Sequence, residues 1–270
     1  MSPKEIANAY LTIGKNKCAL PALTTIILGF MGGMFIAFAA VASATASSTI
    51  SSASAARLLS AAVFPPGLIM VLIAGSELFT GNNLLVMPLL KKVITLRAML
   101  RNWALVYVGN LLGSLFIVGI CAIGGQWKLY GGGLAITTIN TALTKVGYSF
   151  PRAFALGIAC NILVCIAVWM SFAAKDTVSR VAAIYFPVFL FVLCGFEHSI
   201  ANMYYIPAGI IAAADPAFAA EALARGIDTT ALTWGNFLLR NLLPVTLGNI
   251  VGGSVVVGGV YTYCYLNDYC

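Results

Sequence analysis

The 270-residue chain is 61% apolar and only 9% charged, with a mean hydropathy of +0.97; soluble domains run about 45–50% apolar and 25% charged. A water-soluble globular protein is excluded. The formal charge of +7 flanks the apolar stretches and reads as anchoring to lipid headgroups rather than nucleic-acid binding.

In chain order, residues 1–20 carry Lys4, Glu5, Lys15 and Lys17, have no small-residue cleavage site behind an apolar core, and read as a short cytoplasmic segment, an amphipathic surface helix. A transmembrane channel domain follows over 21–263, and 264–270 reads as a cytoplasmic tail. Crossing about 30 Å of hydrocarbon takes about 20 residues. Six apolar stretches meet that length, near 21–43, 61–90, 103–124, 153–173, 183–213 and 235–263. The second and fifth are overlong and interrupted. The seven cysteines lack CxxC or Cys/His spacing and read as small core residues, so neither a metal nor another cofactor is expected.

With six spans both termini share a side, and nine cations fall there against six opposite. The short Lys91–Arg101 loop carries four cations and no acid, which places both termini in the cytoplasm.

The interruption in the second span reads Gly75-Ser-Glu-Leu-Phe-Thr-Gly-Asn-Asn83; the fifth reads Gly195-Phe-Glu-His-Ser-Ile-Ala-Asn202. GxExxxxN therefore occurs twice, at Gly75/Glu77/Asn82 and Gly195/Glu197/Asn202. The third and sixth spans share GNxxG, at 109–113 and 248–252, and Leu28-Gly29 matches Leu156-Gly157. The fold class is accordingly an all-α membrane protein with a 3+3 inverted repeat, repeat one near 21–124 and repeat two near 153–263. The second and fifth helices are broken, near 77–83 and 196–202. Such breaks lie near the bilayer midplane and mark binding sites, and their free backbone groups must be buried or line a polar cavity.

Glu77 and Glu197 are the intramembrane charges. Occurring in both halves, with Asn82 and Asn202, they read as structural braces for the freed amides. His198, the one histidine, stands where the first repeat has Leu78; this asymmetry marks it as a proton donor. Thr80 and Asn161 are candidates to bond a polar solute or the imidazole. Half-helices starting near Thr80 and Ser199 present N-terminal dipole ends that attract anions, and an arriving anion favours protonation of His198. A membrane-embedded enzyme built on Glu197 and His198 is a remote alternative, since no Ser/His/Asp set, metal triad or cofactor loop accompanies them. An Asn-Pro-Ala pair for a neutral-solute channel is missing too.

GSELFTGNN (75–83), LGIACNILVCIAVWMS (156–171), GFEHSIANM (195–203) with the IPAGI that follows, and PVTLGNIVGG (244–253) together resemble the formate/nitrite transporters. The resemblance covers essentially the whole chain. It implies an aquaporin-like protomer, each with its own pore, in a homopentamer of the cell inner membrane. It also implies proton-coupled, pH-dependent, bidirectional passage of formate, with nitrite or hydrosulfide as the alternative and acetate a further anion. His198 is then the central histidine, with Thr80 and Asn161 its polar neighbours. Leu78 and Phe79 would form the periplasmic constriction, Leu68 and Phe191 the cytoplasmic one, and Lys145 and Lys17 would charge the outer and inner vestibules.

Overall fold

The computed structural model describes residues 1–267, all helices and connecting turns; Cys270 and the end of the 264–270 tail lie outside the described residues. Helix α1 is Pro3–Ala19, opened by a capping box in which Ser2 Oγ accepts from the Glu5 amide while the Glu5 carboxylate accepts from the Ser2 amide. It is followed by α2 (Ala22–Ser47), α3 (Ala53–Ile73), α4 (Gly81–Leu90) and α5 (Leu96–Ile123). The second half is α6 (Gly133–Val146), α7 (Phe150–Ala173), α8 (Thr177–Leu193), α9 (Ser199–Ala214), α10 (Pro216–Ala224) and α11 (Trp234–Leu266).

Five of these helices are long and apolar enough to cross a membrane alone: α2, α3, α5, α7 and α11. The pairs α3/α4 and α8/α9 are the interrupted spans. Each repeat thus holds three spans, and the chain makes a multi-pass membrane protein. Asp215 and Pro216 end the last crossing of the fifth span, and α10 leaves α9 at 92°. Pro216 has no amide to continue the ladder and suits the first turn of a new helix, and Asp215 caps that helix by accepting from Ala217 N at 2.9 Å.

Three span starts differ from the sequence expectation for a common reason, the fifth beginning at Thr177 rather than 183 behind the Asp176 cap. The second span begins at Ala53 rather than 61 and the third at Leu96 rather than 103, because Ser52 and Thr95 supply side-chain caps to the amides of Ala55 and Ala98. Polar and charged first turns thereby extend the helices beyond the apolar window. Between the two repeats, in the segment 124–153 to which no span is assigned, α6 fills Gly133–Val146. Its buried face, Leu134, Ala135, Thr138, Ile139, Ala142 and Val146, recurs at helical spacing, but its 14 residues fall short of a span.

Helix pairs pack through glycines. A Cβ at Gly109 would sit 2.5 Å from the Ile26 carbonyl oxygen, and one at Gly157 would sit 2.7 Å from that of Val245. Such close approach is the usual way membrane helices associate where no hydrophobic driving force separates helix from lipid. It joins α2 to α5 in one half and α7 to α11 in the other. Helix α11 holds two π-helical stretches, Phe237–Leu242 and Val251–Gly259. In the second of these, Ser254 Oγ donates to the Asn83 carbonyl oxygen at 3.0 Å and ties α11 to α4.

Candidate functional site

Both breaks are made the same way. Helix α3 ends with Gly75 at φ +83° and α8 with Gly195 at φ +71°, the left-handed turn that a side chain disfavours. The next amides close the turn: Ser76 N donates to Val71 O at 2.9 Å and Phe196 N to Phe191 O at 3.0 Å, the six-to-one bond of a Schellman cap. This explains the glycine of each GxExxxxN. The segments between the half-helices are 74–80 and 194–198, so the breaks begin earlier than the 77–83 and 196–202 read from the sequence. Asn82 and Asn202 stand in the first turns of α4 and α9.

The segments are held by networks that correspond in most of their bonds; Lys17 also donates to Asn82 Oδ1 at 3.1 Å in the first half, and Asn241 to Glu197 at 3.4 Å in the second. The Glu77 amide donates to the Leu28 carbonyl at 3.1 Å and the Glu197 amide to that of Leu156 at 3.2 Å. Asn110 donates to the carbonyls of Gly29 and Glu77 and accepts from the Phe79 amide; Asn249 donates to those of Gly157 and Glu197 and accepts from the Ser199 amide. Every hydrogen-bonding group of both carboxamides' inward edges is thereby used, which is what buried backbone in lipid requires. The asparagine of GNxxG is a clamp on the break.

The carboxylates have partners that sequence reasoning did not assign to them. Glu77 accepts from Lys17 Nζ at 2.6 Å and Asn82 Nδ2 at 2.6 Å; Glu197 accepts from Lys145 Nζ at 2.8 Å and Asn202 Nδ2 at 2.7 Å. Asn102 and Asn241 complete the two sets, accepting from Asn82 and Asn202 and donating to the carbonyls of Lys17 and Lys145. Both lysines, expected as vestibule charges, are thus engaged in ion pairs. A carboxylate held among apolar helices needs a counter-ion, and each lysine is the nearest that a helix end can deliver.

Lys17 ends α1 as Lys145 ends α6. The inverted repeat therefore extends beyond the three spans: each half opens with an amphipathic helix that delivers the cation to its own break.

The two breaks meet at His198. Its Nδ1 accepts from the Ala201 amide at 3.1 Å, capping α9. Nδ1 in that role carries no proton, so Nε2 carries it and donates to Thr80 Oγ1 at 2.9 Å. The imidazole stacks on Phe191, ring centres 5.8 Å apart. Asn161 Nδ2 lies 2.7–3.2 Å from the Asn249 carbonyl, Asn83 Oδ1 and the Thr80 carbonyl, while its Oδ1 is buried without a hydrogen-bond partner. Thr80 is thereby bonded to both His198 and Asn161, through its hydroxyl and its carbonyl.

Two cavities flank this junction. The larger, about 280 Å³, is lined by Arg57, Phe64, Lys145, Phe191 and His198 among others. The smaller, about 40 Å³, is lined by Tyr10 and Lys17 of the N-terminal half with Leu68, Val71 and Leu78. The expected pairing of constriction residues is corrected here. Leu68 shares the small cavity with Leu78, not with Phe191, which lines the large one opposite Phe64, ring centres 5.8 Å apart. Phe64 and Leu68 stand one turn apart along α3, which sets them on opposite sides of the junction. Phe79 lines neither cavity; it packs edge-on against Tyr107 and Trp103 at 4.9 and 5.7 Å. Phe64 was missed because a phenylalanine in an apolar run carries no signal of its own; its one mark is the Pro65-Pro66 that follows.

A family model described as Formate/nitrite transporter matches residues 4–263. Over 97% of its length the chain is 37% identical to the uncharacterized transporter YrhG of Bacillus subtilis, covering 93% of that protein. It is 36% identical to the formate channel FocA of Escherichia coli over 98% of this chain and 95% of that one. A solved structure titled as a pentameric formate channel with formate bound superposes with a TM-score of 0.81 at 36% identity, covering 91% of this chain and 98% of that one. The chain belongs to the formate/nitrite transporter family and is a transporter rather than an enzyme.

Proposed function

We propose that the chain is a formate channel, bidirectional and pH-dependent, in which the anion crosses the junction between the two cavities as the neutral acid. The observation that carries this reading is the Thr80–His198 hydrogen bond, 2.9 Å long, placed between two cavities whose inner walls are Phe64 and Phe191 on one side and Leu68 and Leu78 on the other. A bare monovalent anion between such walls carries a large desolvation penalty, and protonation removes most of it.

The proton step follows from the ring's two bonds. A second proton at Nδ1 displaces the Ala201 amide, a loss that an anion within reach of the ring offsets. The imidazolium then passes its Nε2 proton to a formate oxygen, giving formic acid and a neutral ring protonated at Nδ1, which caps α9 again once Nδ1 has released its proton and Nε2 has taken one up. Thr80 Oγ1 orients the acid, and the buried, unpartnered Asn161 Oδ1 accepts the new O–H. Direction follows the formate and proton gradients.

The name of the superposing structure supports a homopentamer, and the cation-rich Lys91–Arg101 loop supports an inner-membrane protein with cytoplasmic termini. The large cavity then faces the periplasm.

Proteoliposome flux of formate, nitrite, hydrosulfide and glycerol under an imposed pH gradient tests the reading. Formate moving fastest, accelerated by acid on the side it leaves, is expected. Glycerol flux without anion flux, or nitrite far ahead of formate, overturns it.

A further inference from the structure

The large cavity holds two cations, and they are not equivalent. The Lys145 ammonium is bonded to Glu197 at 2.8 Å and stands 5.3 Å from the centre of the Tyr205 ring. Its charge is matched within the brace. Arg57, on the first turns of α3, is exposed to the cavity and joins none of the ion pairs found among the described residues.

The guanidinium is also oriented. A Cβ built at Gly195 would lie 3.9 Å from Nη2, 4.0 Å from Cζ and 4.0 Å from Nη1 of Arg57. Near-equal distances to three atoms of a plane mean that the plane lies face-on over Gly195, the left-handed residue that opens the second break. Lying flat, the group keeps its in-plane N–H edge available to the cavity. Ser60, Thr141, Tyr148 and Tyr205 add hydroxyls to the same walls. Such a fork matches two oxygens of one planar anion, which an ammonium cannot do.

We infer that Arg57 is a capture and specificity residue, a docking point where a small carboxylate is held by two parallel N–H···O bonds before it reaches the Phe64–Phe191 pair. This rests on the formate reading and deepens it: charge alone draws any anion into the cavity, and the fork ranks carboxylates above single-atom anions. Because Arg57 is exposed and unpaired, its replacement leaves the fold intact.

The test compares wild type, Arg57→Gln and Arg57→Lys in proteoliposomes, following initial formate and hydrosulfide flux against concentration. Arg57→Gln raises the half-saturating formate concentration about three- to tenfold, the scale of one partly solvated charge-assisted contact, with maximal flux little changed. Arg57→Lys restores hydrosulfide to the wild-type value but not formate. An unchanged formate value in Arg57→Gln, or full restoration by lysine, overturns the inference. Should wild type move no formate, the transport reading fails by itself. Broadening of the [13C]formate resonance by the detergent-solubilised full chain then decides the docking site: broadening lost in Arg57→Gln supports it, and equal broadening in both proteins overturns it.

Discussion

Thr80 Oγ1 and His198 Nε2 meet at 2.9 Å, joining two broken helices that come from opposite halves of the chain. The braces and clamps around it are duplicated in outline, whereas this bond and the Asn161 contacts beside it have no counterpart. At the place of His198 the first half has Leu78, which offers no cap, and α4 accordingly opens as 3-10 helix over Gly81–Leu85. His198 therefore has two tasks, to cap α9 and to face the junction, and experiments on it must separate them.

The buried pairs are the first target. Removing one partner of such a pair leaves an uncompensated charge and costs about 3–5 kcal/mol. Glu197→Ala is expected to fall in that range, since its side chain is only 3% exposed and Lys145's 14%. Lys17 is 23% exposed, so Glu77→Ala costs less. Thermal unfolding in detergent orders the two, and a double mutant removing both partners of one pair recovers much of the single-mutant loss.

The asparagine clamps give a symmetric expectation. Asn110→Ala and Asn249→Ala each leave two backbone groups of a break without their clamp, the Glu77 carbonyl and Phe79 amide or the Glu197 carbonyl and Ser199 amide, at about 1–3 kcal/mol per group if neither finds water. Both are expected to lower thermal stability by similar amounts, and a large difference between them would contradict the equivalence of the two halves.

Backbone conformation can be isolated at Gly75. A Cβ there meets nothing within 4 Å, while φ is +83°, so Gly75→Ala costs about 1–2 kcal/mol from the left-handed turn alone. Replacement by D-alanine, which favours positive φ, is expected to restore stability; failure to do so would implicate packing instead.

How much of this was legible beforehand follows from contrast. Glu77, Glu197, Gly75 and Gly195 stand out because polar and helix-breaking residues are rare in apolar runs, so the breaks and the repeat could be read. The lysine partners could not: Lys17 and Lys145 sit in polar segments, and nothing local ties them to a glutamate far along the chain. Their equivalence rests on helix position, since α1 and α6 share little sequence. Phe64 was hidden for the converse reason, an apolar residue among apolar neighbours. Its pairing with Phe191 depends on how α3 packs against α8, which nothing local in the sequence shows.

The Phe64–Phe191 pair makes a selectivity prediction. Phe64→Ala and Phe191→Ala each widen the wall of the large cavity and are expected to raise acetate flux several-fold relative to formate, in proteoliposomes, with the pH dependence retained. An unchanged acetate-to-formate ratio in both variants would remove the pair from the path.

The most direct measurement is formate flux against pH in His198→Asn. Asparagine is a strong N-cap, so its side-chain oxygen can still accept from the Ala201 amide and keep α9 capped, while nothing at that position can hold or release a proton. Near-wild-type thermal stability with formate flux at least tenfold lower, and its acceleration by acid abolished, is the predicted result. Flux and pH dependence equal to wild type in a protein of equal stability would contradict the proton-coupled account.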